Sequence, residues 1–183
     1  VTLALIRRKI SVDDIATIQA LLPKLEISFE YNAALHHYQT LLNGDNIESE
    51  IRTMEVSNLV SPVSKIDAVR DFLVKQQRAI GLNKGVVMDG RDIGTVVFPD
   101  AELKIFMNAS AHTRAQRRFK ELKEKGDTVS SFEDVLKNIE ERDYIDTHRD
   151  DSPLVKAKDA LEFDNSNITK QEQFQKVLKF IKI

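Results

Sequence analysis

The spacing of apolar residues changes several times along the chain, and each change marks an element. Val1, Leu3, Leu5, Ile6 and Ile10 make residues 1–10 a dense apolar segment that reads as the end of a helix already under way. Ser11-Val12-Asp13-Asp14 has the pattern of a capping box. After it Ile15, Ile18, Leu21 and Leu22 line one helical face until Pro23. From Lys24 the period falls to two, with Leu25, Ile27, Phe29 and Tyr31 on one side and Glu26, Ser28 and Glu30 on the other. A second strand, 38–42, meets the hairpin signal Asn43-Gly44-Asp45. Residues 24–55 thus read as a small antiparallel lobe. His36 and His37 fall in its connecting loop and, lacking a third ligand nearby, read as surface histidines.

The helical period returns at Ser64-Lys65-Ile66-Asp67, a second capping-box pattern. Ile66, Val69, Phe72, Leu73 and Ile80 form the stripe, Arg70 lies off it, and Gly81 ends it. Two short apolar runs, 86–88 and 103–107, read as buried strands. A helix follows over 112–125, then a turn at Gly126-Asp127-Thr128. Ser131 to Asp134 caps a further helix with Val135, Leu136 and Ile139 inward. Residues 160–164 suggest a last strand. Thr169 to Glu172 opens a closing helix whose Phe174, Val177, Leu178 and Ile181 should pack inward. Strands interleaved with helices predict an α/β fold around a parallel sheet.

Composition narrows the class. In 183 residues, 42% hydrophobic and 31% charged, one soluble globular domain is expected. A formal net charge of -2 gives no reason to expect nucleic-acid binding through bulk charge. The absence of cysteine excludes disulfides and thiolate metal sites and suits a reducing compartment. No apolar run approaches the ~20 residues of a membrane span, so a cytoplasmic protein with no membrane partner is expected.

Three groups of residues carry candidate chemistry. Gly90-Arg91-Asp92-Ile93-Gly94-Thr95 sits between the two central strands, where α/β proteins place ligand loops, although a solvated Arg–Asp pair would look the same. Arg114, Arg117 and Arg118 share one helical face, neutralised either by Glu121 and Glu124 or by a polyphosphate. Arg142, Asp146 and Arg149 recur at helical spacing, as a surface salt-bridge ladder or as an anion clamp. His148 shows no partner pattern.

The run from Gly90 through Val96-Val97-Phe98-Pro99-Asp100-Ala101, then Lys104-Ile105-Phe106, Ala109-Ser110 and Arg114-Ala115-Gln116-Arg117-Arg118, resembles the bacterial cytidylate kinases. That resemblance implies a P-loop-type nucleoside monophosphate kinase, a three-layer parallel sheet flanked by helices with a small antiparallel inserted lobe and a lid. It would form one domain over 1–183: lobe 24–55, core and nucleotide-binding region 56–125, lid and clamp 126–150, C-terminal core 151–183. It implies ATP and CMP or dCMP as substrates, Mg²⁺ carried with ATP, no metal ligands of the chain's own, and a monomer. Arg91, Arg142 and Arg149 would be catalytic. Ser61, Arg70 and Asp92 would contact cytosine, Arg91 and Arg149 the acceptor phosphate, and Arg142 and Asp146 its ribose and phosphate. Arg114, Arg117 and Arg118 would lie on the ATP side. No Gly-x-x-x-x-Gly-Lys-Ser/Thr occurs. The family's phosphate loop and first strand are therefore expected upstream of Val1, and the chain by itself is expected to be inactive. Other readings are a kinase for another nucleoside monophosphate and a non-catalytic nucleotide-binding or interaction fragment on the same scaffold.

Overall fold

Helix α1 (Thr2–Arg8) turns the first apolar run inward, burying Thr2, Leu3, Ala4 and Leu5. The computed structural model describes residues 1–181, which fall into two compact units divided between Gln77 and Arg78. Among the described residues no helix is long and apolar enough to cross a membrane.

In the first unit, α2 (Ile15–Leu21) starts later than the Ser11 pattern suggests. Asp14 is its cap and accepts from the Thr17 amide at 3.1 Å, while the Ser11 hydroxyl accepts only from Asp13. Asp14 directly precedes the helix, so its carboxylate reaches the orphan amides of the first turn and Ser11 cannot. Ile18, Leu21 and Leu22 are buried, but Ile15 is 41% exposed. A 3₁₀ turn, Leu22–Lys24, contains Pro23 and ends the helix.

Strands β1 (Ile27–Asn32), β2 (His37–Leu42) and β3 (Asp45–Asn46) form the antiparallel sheet, with Ile27 opposite Leu42 and Tyr31 opposite Tyr38. Asn43 and Gly44 both take positive φ, 51° and 86°, the turn that this dipeptide predicts. His36 lies in the β1–β2 connection, but His37 already belongs to β2; both are exposed. Phe29 and Tyr31 share the face of Ile27 but remain 55% and 51% exposed. Only the Leu42 end of this hairpin reaches the core.

Helices α3 (Met54–Ser64) and α4 (Asp67–Gly81) complete the first unit's run, the boundary at Gln77 falling within α4. The spacing of apolar residues marks no element over α3. Pro62 sits in its last turn, with Thr53 capping the start. Ser64 therefore ends α3, donating to the Ser61 carbonyl at 2.8 Å, and does not cap α4. Leu3, Leu5, Ile18, Leu22, Leu42, Ile47, Val56, Val63 and Val69 belong to one buried cluster. Each such side chain contributes about 1.5–3 kcal/mol on burial.

The second unit contains β4 (Ile105–Asn108), α5 (Ala111–Glu124), α6 (Phe132–His148), β5 (Leu161–Asp164) and α7 (Lys170–Leu178). β4 and β5 pair in parallel, Ile105 opposite Leu161 and Asn108 opposite Asp164. Both expected capping boxes form, Ser131 with Asp134 and Thr169 with Glu172. Phe132 meets Phe119 edge-on at 6.0 Å, joining α6 to α5. Two expectations fail here. Residues 86–88 form no strand, and Val87 is fully exposed, because a strand needs neighbouring backbone and none of the described residues supplies it. Parallel pairing among the described residues is accordingly confined to β4 and β5. The stripe on α7 is also less buried than expected: Phe174 is 59% and Ile181 43% exposed, while Val177 and Leu178 are half-buried. Phe180, off that stripe, takes up the packing instead, meeting the buried Phe163 edge-on at 6.3 Å.

The capping carboxylates have a pH consequence. Hydrogen bonds from Thr17, Ser131 and Thr169 hold Asp14, Asp134 and Glu172 below their ordinary values. Such groups contribute stability that is complete above the ordinary value and lost as pH falls through the depressed one. The melting temperature should hold level down to about pH 5 and fall below about pH 4. Asp134→Asn should shallow that fall. A melting temperature unchanged at about pH 3 would rule out this contribution.

Candidate functional site

Arg91 and Asp92 stand between residues 85–89, which carry no regular secondary structure, and a single π-helical turn, Ile93–Val97. The open loop expected over Gly90 to Thr95 is thus half helical. The Asp92 carbonyl accepts from the amides of Thr95 (3.3 Å), Val96 (2.9 Å) and Val97 (3.3 Å), and Ile93 accepts from Phe98 at 2.7 Å. One carbonyl therefore anchors the whole turn, which fixes the backbone that carries the Asp92 side chain. π turns recur at functional sites because their extra residue re-aims side chains. Gly94 serves close approach rather than unusual φ: a Cβ there would lie 3.3 Å from Lys104 Cδ.

The end of α6 meets this turn. Arg91 Nε donates to Asp146 Oδ2 at 2.8 Å, and Arg149 Nη1 lies 3.7 Å from Asp146 Oδ1. The side chains of Asp146 and Arg149 are each 5% exposed, so this is no surface ladder. Nor do the three residues share one helical face. Helix α6 stops at His148, and Arg149 is extended, at φ -73° and ψ 146°. Its side chain folds back, with Nε donating to the Ser152 carbonyl at 2.8 Å, while the Asp146 carbonyl accepts from the Leu154 amide at 2.7 Å. Arg142 lies beside them. Burial lowers its guanidinium pKa from the ordinary value, the nearby Arg91 cation lowers it further, and Asp146 opposes both. Two guanidinium groups, those of Arg91 and Arg149, thus meet one buried carboxylate, and Arg142 feels the charges of Arg91 and Asp146. Arg91 is tied to the described residues only through Nε, and its side chain is 42% exposed.

The arginines of α5 point to three different partners. Arg114 makes a two-pronged pair with Asp143 of α6 at 2.9 and 2.5 Å. Arg117 reaches the β5–α7 connection, donating to Asn165 Oδ1, to the Asn165 carbonyl at 2.6 Å and to the Ser166 carbonyl. Arg118 pairs with Glu121 at 2.9 Å, and Glu121 also binds Lys125 at 2.6 Å. Glu124 lies near Lys120 instead. Of the two neutralising acids expected from spacing, only Glu121 serves an arginine of this group. Asp143, which no pattern singled out, serves another. His148 is exposed yet does have contacts, stacking on Tyr144 at 4.2 Å and bonding its carbonyl.

Ser61 and Arg70 belong to the first unit, on α3 and α4. Ser61 is 1% exposed, and its hydroxyl finds no hydrogen-bond partner among the described residues. Arg70, expected on spacing alone to be solvated, is 9% exposed. A buried hydroxyl is costly unless something polar meets it. Among the described residues no three His, Asp or Glu side chains converge as a metal site.

Comparison with known proteins bears on the family of the chain. The family model for cytidylate kinase matches residues 1–183. A cytidylate kinase of Flavobacterium johnsoniae is 62% identical over 166 residues, 91% of this chain and 71% of its own length. A cytidylate kinase of Bacteroides thetaiotaomicron is 56% identical over 162 residues, covering 85% of this chain and 70% of its own. A cytidylate kinase of Porphyromonas gingivalis is 52% identical over 176 residues, covering 94% and 76%. Matches of this extent leave one assignment: the chain belongs to the cytidylate kinase family.

Proposed function

We propose that the protein is an ATP-dependent cytidylate kinase, a cytoplasmic transferase that converts CMP or dCMP and ATP to CDP or dCDP and ADP. A phosphate oxygen of the acceptor attacks the γ-phosphorus of ATP. The bond to the β–γ bridging oxygen breaks, and ADP leaves with the electron pair. The protein's task in such a reaction is positioning and charge stabilisation. The observation that carries this reading is Arg91 and Arg149 meeting on the carboxylate of Asp146, with the Arg142 guanidinium nearby. Arg91, 42% exposed and bonded through Nε, suits a phosphate, which the planar guanidinium binds two-pronged. Arg91 and Arg149 would hold the acceptor phosphate, with Arg142 and Asp146 ordering the ribose side. Arg114, Arg117 and Arg118 would stand toward ATP. ATP enters as its Mg²⁺ complex, the ion neutralising phosphate charge, and the chain's own residues do the orienting. In this reading the fold is that of a P-loop-type nucleoside monophosphate kinase, with residues 24–55 as its inserted lobe and 126–150 as lid and clamp.

Base choice rests on Asp92, with Ser61 and Arg70 as further contacts to cytosine. A carboxylate accepts from the exocyclic amine of cytosine and repels the carbonyl that uracil presents in its place. Asp92→Asn should lower kcat/KM for CMP about ten- to a hundredfold, the worth of one charge-assisted hydrogen bond, and lower it far less for UMP. Steady-state kinetics on both nucleotides decides it. Equal losses for the two would make Asp92 structural. The family match stands against a non-catalytic fragment.

A further inference from the structure

We infer that Lys104 is a positioning residue for base and phosphate recognition, holding the π-helical turn that sets Arg91 and Asp92; this rests on the kinase reading above. Lys104 directly precedes β4, and its side chain is 8% exposed. Its ammonium donates to the Pro99 carbonyl and to Asp159 Oδ2, the latter at 2.6 Å, and its own carbonyl accepts from the Leu161 amide at 2.9 Å. Its stem lies against Gly94, where even a methyl group would crowd it. Lys104 therefore touches the middle of the turn, its exit, and the approach to β5.

Arg78, at the end of α4, takes the carbonyls that remain, donating to Val96 at 2.6 Å and Val97 at 3.3 Å. Two cations thus hold the carbonyl end of a turn whose opposite end is the Asp92 backbone. Because the Asp92 carbonyl accepts three amides of that turn, a shift at Pro99 is passed back to Asp92 and its neighbour Arg91. A methionine would fill the space of the lysine stem without the cost of burying an ammonium. The charge is explained by what it holds.

The test compares Lys104→Met with the unmodified protein and with Arg91→Ala, on the complete gene product. The readouts are kcat and KM for CMP, UMP and ATP, the melting temperature, and amide hydrogen exchange. Lys104→Met should raise KM for CMP about tenfold, the scale of one displaced charge-assisted contact. It should narrow the CMP-to-UMP preference and leave KM for ATP nearly unchanged. The amides of Thr95 to Phe98 should exchange faster while those of α7 do not. Should that variant fail to fold, Asp159→Asn, at a partner 64% exposed, should move KM for CMP in the same direction by less. A lowered melting temperature with unchanged CMP kinetics, or an equal rise in KM for all three nucleotides, would overturn the inference. A normal Lys104→Met beside a crippled Arg91→Ala would overturn it alone, whereas an unmodified protein inert toward CMP would overturn the kinase reading.

Discussion

Asp146→Ala is expected to destabilise the protein by about 3–5 kcal/mol, the usual cost of removing one partner from a buried ion pair. The reason is what remains. Arg149, with a side chain 5% exposed, would keep its charge and lose its carboxylate, and Arg142 would lose the attraction that offsets its burial and the nearby Arg91 cation. Asp146→Asn keeps the shape and removes only the charge, so it should lie close to the alanine variant in stability. Chemical denaturation of both variants checks this. An Asn variant as stable as the unmodified protein would mean that the three arginines do not depend on this carboxylate. Activity with CMP should be lost in step, because Arg91 is anchored through the same oxygen pair.

Arg91→Ala should behave in the opposite way, with a large loss of activity and little loss of stability. Its side chain is 42% exposed and bonded to the described residues only through Nε, and Arg149 stays beside Asp146 when it is gone, so the loss of stability should be well below that of Asp146→Ala. Two hydrogen bonds from its terminal nitrogens to a phosphate, at about 1.5–3 kcal/mol each, correspond to at least about a hundredfold in kcat/KM for CMP. Arg91→Lys should recover little of it, since an ammonium cannot hold Asp146 and a phosphate in one plane. The measurement is kcat/KM beside the melting temperature. A variant that melts early and turns over CMP normally would remove Arg91 from the site.

The sequence was most informative where a signal is local. The Ser131 and Thr169 capping boxes lie within four residues and form as read, as does the Asn43-Gly44 turn. Local signals fail where a nearer competitor exists: Asp14 displaces Ser11, and a helix that tolerates Pro62 absorbs Ser64. Helical spacing predicted Arg142, Asp146 and Arg149 as a group for the wrong reason, because the chain leaves the helix before Arg149 and the side chain returns. Pairs distant in sequence were illegible. Arg114 meets Asp143 across 29 residues and Lys104 meets Asp159 across 55, and no periodicity links them. The segment 86–88 shows the complementary limit, since composition can specify a strand but not the neighbour that makes it one.

The cluster around Asp146 is built from arginine and aspartate without histidine. Guanidinium groups stay charged at every working pH, and ordinary carboxylates titrate well below neutrality. The histidine at the end of α6, His148, is stacked on Tyr144 and bonded to its carbonyl, with Thr147 beside it. No imidazole, the side chain whose charge ordinarily changes between about pH 5 and 8, takes part in the contacts around Asp146. A phosphate monoester gains its second charge near pH 6. In the kinase reading proposed above, the pH dependence of acceptor affinity is expected to follow the nucleotide's own second ionisation.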